Sequence, residues 1–414
     1  MVKALIGALA PIIIVSILIF IFGPQITNKN TIPVGSVTIK FSGFEDENVM
    51  KPLVQEFERS NPDIRVIYDR QSNTNYRTRV QTQISEGAGP DVFKIHSSWI
   101  KMFSGDLAEA PAEIFNLALF QNSFFPVVMD NFVIDNKIIG VPDTIDGLAL
   151  YYNEEILSSA GVSVPKNWQE FVDAATKMTV KDLTGVIKTA GAALGTASNI
   201  DYWPDILGLL LLQQPGVNPA EPGSLQTAEV LKFYTGFVID PSRKTWDTTL
   251  ISSTAMFAQG NLAFYFAPSL EASRIAATNP NLKFKIIPVP QLPGRNVAWA
   301  SYWGNAVSGK SKHIKESWQF AKFLSEKDHE KQKMKSADPL LSVFVSQGPI
   351  YKSWYLSSGT ADAGLNDEMI KVWAEAVNAI LSGTPSQSAL QSIEPKVKEI
   401  LSKYTVLPTQ VPKK

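Results

Sequence analysis

The sequence alternates between short strand-like and longer helix-like segments, and this order constrains the fold more than any other feature. Apolar residues alternate with polar β-formers where a strand is expected, and they recur at helical spacing where a helix is expected. The opening pattern runs strand 36–42, helix 49–60, strand 64–68, helix 76–86 and strand 91–95. Strand–helix–strand order of this kind indicates a parallel sheet covered by helices, so we predict an α/β fold.

The same pattern continues to the C-terminal end of the chain. We predict strands at 137–141, 148–152, 262–266 and 284–290, and helices at 168–178, 206–213, 226–235, 315–325, 369–382 and 389–402. Asn167 and Glu170 supply the capping signal for the helix that starts at residue 168. A chain of 414 residues is too long for one small core, which suggests two lobes.

Composition excludes several classes of function. The net charge of −1 and the lack of a basic run give no attraction for nucleic acid. The absence of cysteine excludes disulfides, thiolate metal sites and cysteine nucleophiles. The three histidines are far apart and show no HExxH spacing, and there is no GxSxG or Walker motif. We therefore expect neither a metal nor a cofactor.

The N-terminal segment predicts a membrane anchor. Residues 4–22 carry no charge, and nineteen helical residues span about 28 Å, close to the hydrocarbon core of a bilayer. No small-x-small cleavage site follows, which favours an uncleaved helix over a cleaved signal peptide. We expect a single-pass anchor at residues 1–35, including a short tether, with the body outside the cytoplasm.

Five groups of residues occur together in a recognisable order. They are Gly89-Pro90-Asp91-Val92-Phe93 with Ser97-Ser98-Trp99; Ile139-Gly140-Val141-Pro142 with Leu150-Tyr151-Tyr152-Asn153; Ala160-Gly161-Val162 with Pro165 and Asn167-Trp168-Gln169-Glu170-Phe171; Phe257-Ala258-Gln259-Gly260-Asn261-Leu262-Ala263-Phe264; and Trp303-Gly304 with Trp318-Gln319-Phe320-Ala321-Lys322-Phe323-Leu324. In this order they resemble family 1 extracellular solute-binding proteins of the maltodextrin-binding type, over residues 36–402. Ala267-Pro268-Ser269 stands where many relatives have Gly-Pro-Trp, so the resemblance implies no aromatic platform at this position.

The resemblance implies a two-lobed, periplasmic-binding-protein-like fold of type II with the ligand between the lobes. We expect lobe 1 at 36–143 plus about 270–328, lobe 2 at 144–269 plus about 329–403, and a tail at 404–414. It also implies a receptor of an ABC-type importer that binds a sugar or oligosaccharide by hinge closure and then docks on a membrane permease.

Aromatic rings that stack on sugar C–H faces are the first candidates for the site. Trp99 and Trp303 follow or end strands, and Tyr202-Trp203 falls where the resemblance places stacking residues. For each tryptophan the alternative is a packing role in the core. Tyr265 ends a strand and is assigned to the ligand cleft, whereas Trp168 and Trp318, at core spacing on amphipathic helices, are assigned to packing.

Polar groups that bind hydroxyls complete the predicted site. Phe44 and Glu45 follow the first strand, and Ser97 and Ser98 precede Trp99. Asp143 and Asp146 lie at the expected crossover between lobes, where a turn-forming role is the alternative. A hydrolase that uses Glu45, Asp143 or Asp146 as its acid–base pair is a competing function, and so is a receptor that reports to a membrane sensor.

Overall fold

Two mixed five-stranded sheets organise the body of the protein. The computed structural model describes residues 36–103 and 105–404. The first sheet has the order β2-β1-β3-β13-β6 and the second β11-β7-β10-β9-β8. The strands are β1 (Val37–Gly43), β2 (Ile64–Arg70), β3 (Val92–His96), β4 (Val133–Ile134), β5 (Lys137–Ile138), β6 (Val141–Pro142), β7 (Ala149–Asn153), β8 (Val180–Lys181), β9 (Ile187–Ala192), β10 (Leu262–Ala267), β11 (Phe284–Ile287), β12 (Ala298–Trp299), β13 (Trp303–Val307) and β14 (Tyr351–Lys352).

Helices cover both sheets. They are α1 (Glu47–Ser60), α2 (Tyr76–Ser85), α3 (Leu117–Ser123), α4 (Pro126–Phe132), α5 (Glu154–Ser159), α6 (Trp168–Met178), α7 (Trp203–Gln213), α8 (Leu225–Ile239), α9 (Ser253–Ala258), α10 (Leu270–Thr278), α11 (Ile314–Ala337), α12 (Ser342–Ser346), α13 (Leu365–Leu381) and α14 (Ser386–Lys403), with 3-10 turns at Ser97–Phe103 and Gly348–Ile350. Helices α1 and α11 pack on the first sheet, and α6 packs on the second.

The first sheet is parallel at its start and antiparallel where the chain returns to it. Strand β1 runs parallel to both β2 and β3, as the opening strand–helix–strand pattern predicts. Strand β13 then pairs antiparallel with β3, which sets Trp303 opposite His96. The second sheet is mixed as well, because β10 is parallel to β9 and antiparallel to β7. The fold is therefore α/β with mixed sheets.

Helix α6 shows how local signals and packing agree. The side chain of Asn167 accepts a hydrogen bond from the Glu170 backbone N–H, which confirms the predicted cap. One face then buries Trp168 and Phe171 against the second sheet, with the Trp168 ring stacked on Phe266 at 5.7 Å between centroids. The packing role predicted for Trp168 is confirmed by this contact, and full burial of Trp318 on α11 agrees with the same prediction there.

Some predicted element bounds are wrong. The strand predicted at 137–141 is split, because Lys137–Ile138 forms a hairpin with Val133–Ile134 while Val141–Pro142 joins the first sheet. The hairpin turn uses left-handed backbone at Asp135 and Asn136, which suits a two-residue turn. Helix α11 extends to Ala337, well beyond the predicted residue 325, because the charged residues there are good helix formers.

Two expectations about chain organisation concern the lobe boundaries and the N-terminal segment. The predicted lobe boundaries stay a prediction, and Phe284–Ile287, inside the segment expected in lobe 1, pairs with β7 of the second sheet. The predicted membrane anchor at residues 4–22 lies outside the described residues. Within residues 36–103 and 105–404, we find no helix with the length and apolar character needed to cross a membrane.

Candidate ligand-binding site

Two chain segments lead from one sheet to the other, at residues 143–148 and 288–302, and they hydrogen-bond to each other and to a third segment at residues 351–352. The backbone N–H of Leu148 donates to the Trp299 carbonyl at 3.0 Å, and that of Ala300 donates to the Lys352 carbonyl at 2.8 Å. Gly147 pairs with Ala300, and a Cβ added at Gly147 would lie 1.9 Å from the Trp299 carbonyl oxygen. Only glycine allows this approach, so the three segments pack closely here, in what we name the hinge region.

A cavity of about 370 Å³ opens beside this hinge. Residues from both sheets line this cavity, because Trp303 belongs to the first sheet and Pro268 follows a strand of the second. The lining residues are Asp143, Thr144, Asp146, Gly147, Leu148, Tyr202, Asp205, Pro268, Leu270, Trp299, Ser301, Tyr302, Trp303 and Ser358. The volume and the mixture of rings with hydroxyl and carboxylate groups suit a small polar ligand.

Trp303 is a half-buried aromatic residue of this cavity, and other rings hold it in place. Phe44, Trp99 and His96 meet it edge-on, with centroid distances of 4.7, 4.9 and 5.1 Å. Edge-to-face contact is a favoured arrangement of aromatic pairs, so the indole is fixed before any ligand arrives. Trp99 itself is only 1% exposed. The predicted residues Phe44 and Trp99 thus stand behind Trp303 and do not line the cavity.

Two of the predicted carboxylates share one buried lysine. The Nζ atom of Lys94 lies 2.9 Å from Glu45 Oε1 and 2.6 Å from Asp143 Oδ2. Asn305 donates a further hydrogen bond to Asp143 Oδ1 at 2.8 Å. Burial by itself would lower the pKa of Lys94, but the two carboxylates hold that pKa above its usual value. Lys94 is therefore charged, and it compensates the negative charge at the cavity edge.

Asp146 is also held by groups of the protein. Its carboxylate accepts hydrogen bonds from the Gly147 and Ser269 backbone N–H groups and from the Ser269 hydroxyl. Lys335 Nζ lies 3.3 Å from Asp146 Oδ1. The residue lines the cavity, as predicted, but most of its hydrogen-bonding capacity is already used.

Of the predicted aromatic residues near the second sheet, Tyr202 lines the cavity, whereas Trp203 and Tyr265 lie in the core. Tyr202 lines the cavity and donates its hydroxyl hydrogen to Glu271 Oε1 at 2.9 Å. Trp203 is 7% exposed within the hydrophobic core, at the first residue of α7. Tyr265 is 1% exposed, and its hydroxyl is 2.7 Å from that of Thr254. Neither Trp203 nor Tyr265 contributes to the cavity wall.

Ser97 and Ser98 border a different cavity, also of about 370 Å³. This second cavity is lined by residues of the first 3-10 turn, of the β4–β5 hairpin region and of the segment 352–355, including Trp354. The structure therefore brings together Asp143, Asp146, Tyr202 and Trp303 in one cavity and leaves the other predicted residues behind it or beside it.

Residues that the sequence did not single out complete the first cavity. Asp205 accepts hydrogen bonds from Trp299 Nε1 at 2.8 Å and from the Ser358 backbone N–H at 3.1 Å. Burial raises the pKa of Asp205 to about 6. A single aspartate in an otherwise apolar helix needs buried partners, and that signal could have drawn attention to Asp205. Ser301 and Tyr302 gave no comparable local signal.

Among residues 36–103 and 105–404, no group of three or more histidine, aspartate and glutamate side chains is placed to hold a metal ion. The arrangement offers binding contacts instead: one supported indole face, hydroxyl groups, and carboxylates compensated by lysine.

Comparison with known proteins identifies the family of this chain. A family model described as bacterial extracellular solute-binding protein matches residues 45–331, more than half of the chain. The chain belongs to this family. The resemblance inferred from the sequence motifs is thereby confirmed, and this solute-binding protein is a ligand-binding receptor whose body works outside the cytoplasm.

Individual relatives are distant in sequence and close in fold. The solute-binding protein is 24% identical to the melibiose/raffinose/stachyose-binding protein MelE of Bacillus subtilis, over 74% of this chain and 72% of MelE. It is 23% identical to the multiple sugar-binding protein of Streptococcus mutans, over 70% and 71% of the two chains. The sugar-binding protein MalE of Xanthomonas citri superposes with a TM-score of 0.73 at 19% identity, covering 91% of this chain and 100% of MalE. The predicted two-lobed α/β fold of the periplasmic binding proteins is confirmed.

Proposed function

We propose that this solute-binding protein captures a neutral sugar or oligosaccharide in the cavity beside the hinge and delivers it to an ABC-type importer. The observation that carries the proposal is Trp303, whose indole is half-buried in the cavity wall and fixed by three surrounding rings. A flat, preorganised aromatic face stacks well on the C–H face of a sugar ring.

The charges around the cavity favour a neutral ligand. Lys94 pairs with both Glu45 and Asp143, and Lys335 pairs with Asp146, so each of these five charged groups already has a partner and none is left free to pair with an ionic ligand. Relatives point in the same direction, since MelE is named for binding melibiose, raffinose and stachyose.

Binding without chemistry accounts for the carboxylates better than hydrolysis does. A glycoside hydrolase needs two carboxyl groups that face one bond, one to give a proton and one to attack or activate water. Here Glu45 and Asp143 converge on the same lysine ammonium group, and Asp146 accepts three hydrogen bonds from backbone and serine groups. Carboxylates that are paired in this way are poorly placed to give a proton to a glycosidic bond or to activate water across it.

Hinge motion would couple binding to transport. The cavity walls come from both sheets, so a ligand that contacts both sides stabilises the arrangement in which they approach one another. Residues 143–148 and 288–302 run between the two sheets and meet at Gly147, so the motion would bend these segments. The receptor would then dock on a membrane permease, with residues 4–22 as the anchor that keeps it at the membrane.

Calorimetric titration of the full-length protein with melibiose, raffinose and maltotetraose tests the proposal. At least one sugar should bind, and Trp303→Ala should weaken that binding by roughly 5- to 30-fold, which corresponds to about 1–2 kcal/mol. Trp303→Phe keeps a ring in place and should lose less.

Trp354→Ala is the matched control, because Trp354 is a half-buried tryptophan in the second cavity of the same volume. It should leave the affinity within about twofold, a change too small for a contact residue. Loss of binding in Trp354→Ala together with normal binding in Trp303→Ala would move the site to the second cavity. Tight binding of a peptide or a polyamine, with no response to any sugar, would refute the sugar proposal.

A further inference from the structure

A continuous chain of hydrogen bonds runs from helix α13 to the wall of the cavity. Asn366 Nδ2 lies 2.7 Å from Ser98 Oγ, and Ser98 Oγ lies 2.7 Å from His96 Nδ1. On the other side of the ring, His96 Nε2 lies 3.2 Å from Ser301 Oγ, and Ser301 lines the cavity. Asn366, Ser98 and His96 are all buried, so water does not compete for these bonds.

The direction of these bonds follows from groups that can act in one way only. The backbone N–H of Ser98 points at His96 Nδ1 at 3.2 Å, and an N–H group can only donate. His96 Nδ1 is therefore an acceptor. Burial lowers the pKa of His96 to about 3, so the ring is neutral at neutral pH and carries one proton. That proton must sit on Nε2, which donates to Ser301 Oγ.

The hydrogen bonds of Asn366, at the other end of the hydrogen-bond chain, have the same direction. One amide atom of Asn366 lies within hydrogen-bond distance of both Asp362 Oδ2, at 3.0 Å, and Ser98 Oγ. A carboxylate can only accept, so that atom is the Nδ2 donor. Ser98 Oγ therefore accepts from Asn366 and directs its own hydrogen to His96 Nδ1.

We propose that His96 is a positioning residue that makes Ser301 a hydrogen-bond donor to an oxygen atom of the bound solute. Ser301 Oγ accepts from His96 Nε2 and has no other partner among residues 36–103 and 105–404, so its own hydrogen is left for the cavity. The inference rests on the proposed function in taking this cavity as the ligand site.

The proposal narrows the class of solute. A hydroxyl, ring or glycosidic oxygen can accept the Ser301 hydrogen, whereas an ammonium group has no lone pair and would meet a donor. The cavity would thus favour sugar oxygens over amines at this position, independently of charge elsewhere in the wall.

The bond between Asn366 and Ser98 also joins helix α13 to the segment that follows β3 of the first sheet. Helix α13 packs against α8 and α14, whereas Ser98 follows β3 of the first sheet. Arg77 of α2 adds a second link, because its Nε donates to the Asp362 carbonyl oxygen at 2.8 Å. The chain of bonds is therefore complete in the arrangement of the lobes seen here.

The first test reads the tautomer directly in the ligand-free, full-length protein. Long-range nitrogen–proton NMR of histidine labelled with ¹⁵N should show His96 with a bare Nδ1 and a protonated Nε2, and His96→Gln identifies the signal by its loss. A proton on Nδ1, or a charged ring at neutral pH, would overturn the proposal.

The second test measures sugar affinity by calorimetry. Ser301→Ala and His96→Leu should each weaken binding by about fivefold, equivalent to about 1 kcal/mol for one hydrogen bond. The double variant should be no weaker than His96→Leu alone, because that variant has already removed the bond to Ser301, and any excess loss in His96→Leu over Ser301→Ala measures the edge contact of the ring with Trp303. His96→Gln offers a donor nitrogen near the position of Nε2 and should restore most of the affinity.

The outcomes separate this inference from the proposed function. Losses that add in the double variant, or an unchanged affinity in Ser301→Ala, would overturn the role of His96 while leaving sugar binding intact. Absence of binding by every sugar would refute the proposed function, and the tautomer measurement would still decide whether His96 directs its proton to Ser301.

Discussion

Acidification should destabilise the folded protein through His96. The ring is 2% exposed, with serine hydroxyls at both nitrogens and no carboxylate in contact with either nitrogen among the described residues. Burial lowers its pKa from 6.5 to about 3. In the unfolded chain the ring is hydrated and takes up a proton near pH 6.5.

The expected magnitude follows from linkage between protonation and folding. Between pH 6.5 and pH 3 the unfolded state holds one proton more than the folded state, so the free energy of unfolding falls as the pH falls. A difference of one proton changes that free energy by about 1.4 kcal/mol per pH unit, and the whole window amounts to about 5 kcal/mol. Above pH 6.5 the ring is neutral in both states and its contribution is constant.

Urea unfolding at several pH values between 7 and 4 measures this slope. Carboxylates titrate in the same range, so the informative quantity is the difference between wild type and His96→Gln, which cannot take up a proton. The variant should lose stability more slowly on acidification, by about 1.4 kcal/mol per pH unit below pH 6. His329→Gln removes an exposed histidine of α11 and should run parallel to wild type. Parallel slopes for wild type and His96→Gln would refute the assignment of a buried neutral ring.

Two further substitutions test the charge pair and the hinge. Lys94→Met leaves Glu45 and Asp143 without their shared cation, so we expect the free energy of unfolding at neutral pH, measured with urea, to fall by about 3–5 kcal/mol. A loss below about 1 kcal/mol would show that water replaces the lysine. Gly147→Ala places a methyl group 1.9 Å from a carbonyl oxygen of β12 and should lower the free energy of unfolding by about 1–3 kcal/mol or more, measured by thermal unfolding. The control is Gly105→Ala, which has open space around it and should change that free energy by less than about 1 kcal/mol. Equal effects of the two variants would show that the hinge backbone adapts freely.

Much of the fold was predictable because its signals are local. Alternating apolar residues marked β1, and helical spacing with an asparagine cap marked α6 to the residue. Local signals did not predict strand bounds that depend on which strands pair with each other. Residues 137–141 read as one strand, but β5 pairs with β4 and β6 joins the first sheet, and nothing within five residues specifies two different partners.

The candidate site was predictable only in part. The motif resemblance directed attention to Asp143, Asp146, Tyr202 and Trp303, and these four residues line the cavity. Trp203 and Tyr265 carry the same chemical signals as Tyr202, yet they are buried. Whether a ring faces a cavity or a core depends on neighbours from distant segments, and that is not encoded in its own flanking residues.

The sequence by itself determined the alternation of strands and helices, the absence of cysteine chemistry and the family to which the chain belongs. Only the tertiary structure decided which side chains meet. Antiparallel pairing of β13 with β3 sets Trp303 beside His96, and docking of α13 brings Asn366 to Ser98 across 268 positions of the chain. Hydrogen-bond direction, ion-pair compensation and burial arise from such contacts, because each depends on atoms that come together only when the chain folds.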